Sequence, residues 1–199
     1  SMKSNTIGYD NSSFGFNSLK NNISAYSNCA FGSNALRDVT TGYGNVAVGS
    51  GALQQTNGYE NVGIGSNALS QTNTGYENVG IGHNALSQNN NGYENIAIGY
   101  NAGLSLRDAN NNTIIGNNAV SGGGYQNSNK HSVFGAATVV ANNTDGSVVL
   151  GYGAESTLSN QFVVGSVGTV AGAVTAATPA QTKVWNVVIN GVAQQILLA

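Results

Sequence analysis

Four tyrosines, Tyr43, Tyr59, Tyr76 and Tyr93, recur once per turn of a repeated phrase, and the last three are followed by Glu60, Glu77 and Glu94. A regular row of tyrosines could act as a platform for sugar rings, which stack their apolar faces on aromatics while nearby Asn and Gln bond their hydroxyls. The same regularity favours tyrosines that pack on one another or on a neighbouring subunit. The candidate ligand-binding residues are Tyr59, Tyr76 and Tyr93, together with Tyr125, Lys130 and His131. The last three lie in the irregular stretch "SGGGYQNSNKH", where the repeat is interrupted, and binding loops tend to sit where a regular scaffold is broken. The glutamates fall in line but lack the alternating acidic spacing of a calcium loop, so they read as a solvated ladder. No metal and no other cofactor is expected. Neither G-x-S-x-G nor H-E-x-x-H occurs, and two histidines with one cysteine leave little from which to build a triad. Paired acids on neighbouring repeats keep polysaccharide cleavage as the long shot. The chain reads as a non-enzyme.

Composition narrows the partners. Only 7% of the 199 residues are charged, with a formal net charge of −2, and the six basic residues never cluster. Nucleic acid and anionic membrane therefore have no electrostatic footprint. No apolar run approaches the roughly 20 residues of a membrane span, so no membrane insertion is expected. The single cysteine, Cys29, excludes an intrachain disulfide framework. Hydrophobic residues make up 40% and glycine numbers 28 against one proline. That balance describes a β-rich chain with uncharged polar turns rather than a disordered one.

Those candidates must be positioned by the repeat. Glycines at 15, 32, 49, 65, 82, 99 and 116 step by 16 or 17 residues, and the series loosens through Gly135, Gly151 and Gly165. A period of this size marks a solenoid, in which each unit stacks only on its neighbours. Each unit runs Asn, an aliphatic, a small residue, an aliphatic, Gly, then "xNAL" and a polar loop. Alternation of period two predicts a short strand with one face buried. We expect the residue before each glycine to form the core: Phe31, Val48, Ile64, Ile81, Ile98 and Ile115, with Cys29 in the companion inward column. The adjacent Ala and Leu of "NAL" then point to opposite faces. This leaves Leu36, Leu53, Leu69 and Leu86 as an outward apolar stripe and an oligomer interface. The alternative is a turn that rotates each leucine inward beside its alanine.

The expected fold is all-β: a parallel β-roll or β-solenoid of about eleven coils of ~17 residues. Residues 1–166 form this repeat domain. Residues 167–199 hold a Gly/Ala-rich connection and a C-terminal β-hairpin, signalled by Asn190-Gly191, that caps the open end.

The units "NVAVGSGAL", "NVGIGSNAL" and "NIAIGYNA" resemble the head repeats of trimeric autotransporter adhesins, a coil type also met in bacteriophage tail fibres and receptor-binding proteins. The ending "KVWNVVINGVAQQILLA" looks more like a tail-fibre terminus than a membrane anchor. The resemblance implies a left-handed β-roll homotrimer that attaches to a surface multivalently. Its expected partners are copies of itself and a bacterial cell-surface polysaccharide or protein receptor. The location it implies is the virion, as a tail fibre, or alternatively the bacterial cell surface, as an adhesin head. A purely structural fibre spacer is the competing reading.

Overall fold

The structure, a computed structural model, describes residues 2–122 and 128–165 in full and the backbone of Lys183–Ile189 and Val192–Leu198. The described residues contain strands and turns but no helix, and hence no helix able to cross a membrane. The chain divides into two compact units, Ser1–Gly168 and Thr169–Ala199.

The first unit is a β-solenoid. Its strands are β1 (Ser12–Phe14), β2 (Cys29–Phe31), β3 (Val46–Val48), β4 (Val62–Ile64), β5 (Val79–Ile81), β6 (Ile96–Ile98), β7 (Thr113–Ile115), β8 (Ser132–Phe134), β9 (Val139–Val140), β10 (Val148–Leu150), β11 (Glu155–Ser156) and β12 (Phe162–Val164). Ten of them stack in chain order as one parallel sheet, joined by nine turns of the solenoid, while β9 and β11 pair separately. Eleven coils were expected; Ile7 and Gly8, the first of the series, carry no strand among the described residues. The register is strict, so Val48, Ile64, Ile81 and Ile98 face one another across successive rungs. The recurrent glycine has a steric cause. Gly65 sits at φ 131°, and a Cβ there would lie 2.5 Å from the carbonyl oxygen of Gly82 in the next coil.

The structure inverts the expected inside and outside of the coil. Phe31 is 55% exposed and Ile64 38%, and Val48, Ile98 and Ile115 also lie on the outer face, with Ile81 half-buried. Cys29 is exposed in the companion outer column. The core is instead the central residue of each strand, small in β2–β6 (Ala30, Ala47, Gly63, Gly80 and Ala97), where it packs with the fully buried Leu36, Leu53, Leu69 and Leu86, and larger in β7, β8 and β10 (Ile114, Val133 and Val149). These leucines therefore form the interior of the coil and not an oligomer interface. The cause lies in the backbone. Each of the four has φ between 48° and 52°, a left-handed conformation that costs a branched residue about 1–2 kcal/mol and swings its side chain inward beside the preceding alanine. Inside so narrow a coil the leucine leaves room on the strand only for Ala or Gly. A Cβ on Gly80 would already stand 3.1 Å from Leu69 Cγ. Where the leucine is lost the strand compensates: Gly103 occupies the leucine position, and buried Ile114 and Leu106 restore the volume.

A second column completes the interior. Asn28, Asn45, Asn61, Asn78, Asn95 and Asn112 are buried, and each Nδ2 donates to the Oδ1 of the asparagine one coil earlier at 2.9–3.1 Å. Each also donates to a backbone carbonyl, for example Asn78 to Gly92 O at 2.8 Å. The polar loops are thereby held in register with every ladder amide paired.

The second unit contains an antiparallel hairpin of β13 (Lys183–Ile189) and β14 (Val192–Leu198), with Trp185 opposite Ile196 and Ile189 opposite Val192. The turn residues Asn190 and Gly191 lie outside the described residues.

Candidate functional site

Two surfaces of the solenoid stand out. The first is the outer face of the ten-stranded sheet. Each strand turns its first and third residues outward, so the third residues form an apolar column along the sheet and the first residues form a shorter one over β2–β6, bounded by Ser12 on one side and Thr113 and Ser132 on the other. One passes through Phe14, Phe31, Val48, Ile64, Ile98, Ile115, Phe134 and Val164, all exposed. The other holds Cys29, Val46, Val62, Val79 and Ile96 beside it. Phe14 and Phe31 stack with centroids 4.9 Å apart. Ten rungs at about 4.8 Å make a face of roughly 43 Å. Contiguous apolar surface on that scale marks an interaction site rather than scattered exposure.

The second is the tyrosine ladder. Tyr9, Tyr26, Tyr43, Tyr59, Tyr76 and Tyr93 stack with centroids 4.8–5.1 Å apart and planes within 9°. The ladder is longer than expected. Tyr9 and Tyr26 precede Asn11 and Asn28 at the same offset as the later tyrosines, a signal legible in the sequence. The rings spend their faces on one another. Tyr59 and Tyr76, stacked on both faces, therefore present ring edges and hydroxyls to solvent rather than the open faces a stacked sugar requires, whereas Tyr93, the last ring, is stacked by a tyrosine on one face only. Lost water, then neighbouring tyrosines and glutamates, push the Tyr59 and Tyr76 hydroxyls above their ordinary range; the same causes in the same order act on Tyr26, with a single glutamate.

The glutamates follow from turn geometry. Glu60, Glu77 and Glu94 take φ of 54–55°, and Asp10, Ser27, Asn111 and Lys130 occupy the same left-handed turn position in their own coils. Lys130 is thus exposed at a turn that Glu or Asn fills elsewhere. Among the described residues no three His, Cys, Asp or Glu side chains come together as a metal site.

His131 is not a surface residue. It is 2% exposed and ends the asparagine ladder, its backbone N–H donating to Asn112 Oδ1 at 3.0 Å. Its Nδ1 accepts from the Ser147 N–H at 3.2 Å, which leaves Nε2–H to donate to the Thr144 carbonyl at 2.8 Å. The interruption of the repeat substitutes the ladder residue rather than turning it outward, so His131 is unavailable to a ligand. Tyr125 lies outside the described residues.

The buried ring carries a pH signature. Burial holds its pKa below the ordinary 6.5, against the opposing pull of the Thr144 and Ser147 hydrogen bonds and the Asp145 charge. Above 6.5 the ring is neutral in folded and unfolded chains alike, and its contribution is intact. As pH falls below that value the unfolded chain takes up a proton that the folded one refuses, so stability declines until the lowered folded value is passed. We expect the melting temperature to fall more steeply between about pH 7 and about pH 5 in wild type than in His131→Asn, which restores the ladder residue. Parallel slopes would discount His131 as the titrating group.

Comparison with protein-family models, with curated proteins and with solved structures finds no match to this chain.

Proposed function

We propose that this protein is a fibrous attachment protein, a homotrimer that binds a repetitive bacterial surface ligand through several identical faces. The observation that carries the proposal is the double apolar column on the outer sheet face, which copies of the same chain can cover. The number three comes from the likeness of "NVAVGSGAL" and its neighbours to adhesin head and tail-fibre coils. The attachment is non-enzymatic and draws its strength from avidity, since weak contacts repeated along and around a fibre add without any one being tight. The receptor is a cell-surface polysaccharide or protein, with no nucleic acid partner. A phage tail fibre is the primary setting, and the head of a bacterial surface adhesin is the alternative. The C-terminal hairpin would act as a cap on an open rung. A structural spacer is the second reading, favoured by the regular tyrosine and asparagine ladders.

Light scattering after size exclusion tests the assembly. The expected mass is about three times the 20.2 kDa chain. Labelled protein should then coat a subset of a bacterial panel. A single-chain mass removes the trimer, and a trimer that coats nothing favours the spacer.

A further inference from the structure

We infer that a polar groove along one side of the solenoid binds an extended, uncharged polysaccharide, its chain lying parallel to the solenoid axis. The groove encloses about 550 Å³ and is walled by two columns of amides, Gln55, Gln71 and Gln88 on one side and Asn57, Asn73 and Asn90 on the other. The residue between each pair, Thr56, Thr72 or Asn89, is buried. Alternation along the chain therefore throws one amide to either side of it in every coil.

These amides differ from those of the inner ladder. Their backbones are stacked coil on coil, Gln71 N–H to Ser87 O at 3.1 Å and Asn73 N–H to Asn90 O at 2.8 Å. The side chains of Gln55, Gln71, Gln88, Asn73 and Asn90 make no hydrogen bond among the described residues. Asn57 spends only its Oδ1, which accepts from Thr40 N–H at 2.9 Å and Thr40 Oγ1–H at 2.8 Å. The groove thus offers unspent amide donors in every coil and unspent amide acceptors at every position but Asn57. A sugar hydroxyl is itself both donor and acceptor, so it suits a primary amide better than any ion does.

Charge selects the class of glycan. No ionised group lines the middle of the groove. Asp38 at one end is held by Arg37 at 2.6 Å, and Arg107 stands at the other. Repetition selects a polymer over a compact ligand, since the same pair of amides returns about every 4.8 Å along the axis. A second depression, of about 370 Å³, lies on the far side of the glutamine column and is lined by Ser70, Ser87 and Asn84. The glutamines form a ridge with polar ground on both flanks, reachable by substituents on either edge of a chain.

The inference rests on the attachment reading for the source of the glycan, and its test runs apart from it. Full-length protein is titrated with neutral hexasaccharides of glucose, mannose and N-acetylglucosamine and with the polyanion alginate, followed by calorimetry and by the side-chain amide NMR signals. At least one neutral sugar should bind and shift the Gln71 and Gln88 amide signals. The double variant Gln71→Leu, Gln88→Leu, which keeps bulk and removes hydrogen bonding, should bind it more weakly by about tenfold or more at an unchanged melting temperature. Absence of binding by every neutral sugar, equal binding by the double variant, or preference for alginate each overturns the groove. Protein that fails these tests yet coats bacteria keeps the attachment reading and loses the groove. Protein that binds a sugar through Gln71 and Gln88 yet coats no bacteria keeps the groove and loses the attachment reading.

Discussion

Leu69→Asp should yield no folded solenoid. Leu69 is fully buried and fills the space that Gly80 leaves open on the facing strand. An aspartate there removes the packing of a leucine, worth about 2–5 kcal/mol by truncation alone. It also buries a carboxylate with no partner, which adds several kcal/mol more. A solenoid magnifies the loss, because each coil is supported only by its neighbours and a failed central coil divides the stack into two short arrays. The expected readouts are loss of β circular dichroism and rapid proteolysis. The milder Leu69→Ala should fold with a clearly lowered melting temperature. A soluble Leu69→Asp protein with an unshifted melting curve would refute the inward placement of the leucine column.

Ile64→Asp combined with Ile98→Asp should have the opposite outcome: a chain that keeps its coil and loses its assembly. Ile64 is 38% and Ile98 36% exposed on the outer sheet face, so within one coil the new carboxylates remain in water. Surface changes of this kind typically cost within about 0.5 kcal/mol each. Across a packed interface between copies the same carboxylates would be desolvated and would face one another. Solution mass should therefore fall from the oligomer to one chain. Cys29 supplies an internal check, because its exposed thiol lies on the same face. A small thiol reagent should modify it slowly in the wild-type assembly and rapidly in the double variant. Unchanged mass together with unchanged thiol reactivity would mean that this face is not the interface.

The two variants touch different columns of the repeat, and that choice separates what was legible in the sequence from what was not. Spacing of the glycines determined the pitch, because a residue such as Gly65, pressed against the carbonyl of the next coil, tolerates no Cβ and must recur once per turn. The asparagine before each strand likewise announced a ladder, since identical residues in strict register meet one another. Parallel strands, a helix-free repeat unit and a C-terminal hairpin followed from period-two alternation and Asn-Gly punctuation. The tyrosine stack followed from its once-per-coil recurrence.

Alternation does not say which face is inside. Period two is unchanged when the strand is turned over, and both faces here are apolar or small. The tertiary structure decided it through the leucine of "NAL". Its left-handed φ brings it to the interior, where it occupies the volume and leaves only Ala or Gly room on the opposite wall, so the larger Val, Ile and Phe are turned out. The same non-local fact converted Cys29 from a core residue to a surface one and His131 from a surface candidate to the last member of a buried ladder. It also built the amide groove. "LQQTN", "LSQTN" and "LSQNN" are visible in the sequence, but only the inward turn of Thr56, Thr72 and Asn89 sets their Gln and Asn neighbours on opposite walls. Local pattern determined the repeat and its register; competition for the narrow interior determined which residues the molecule shows to its surroundings.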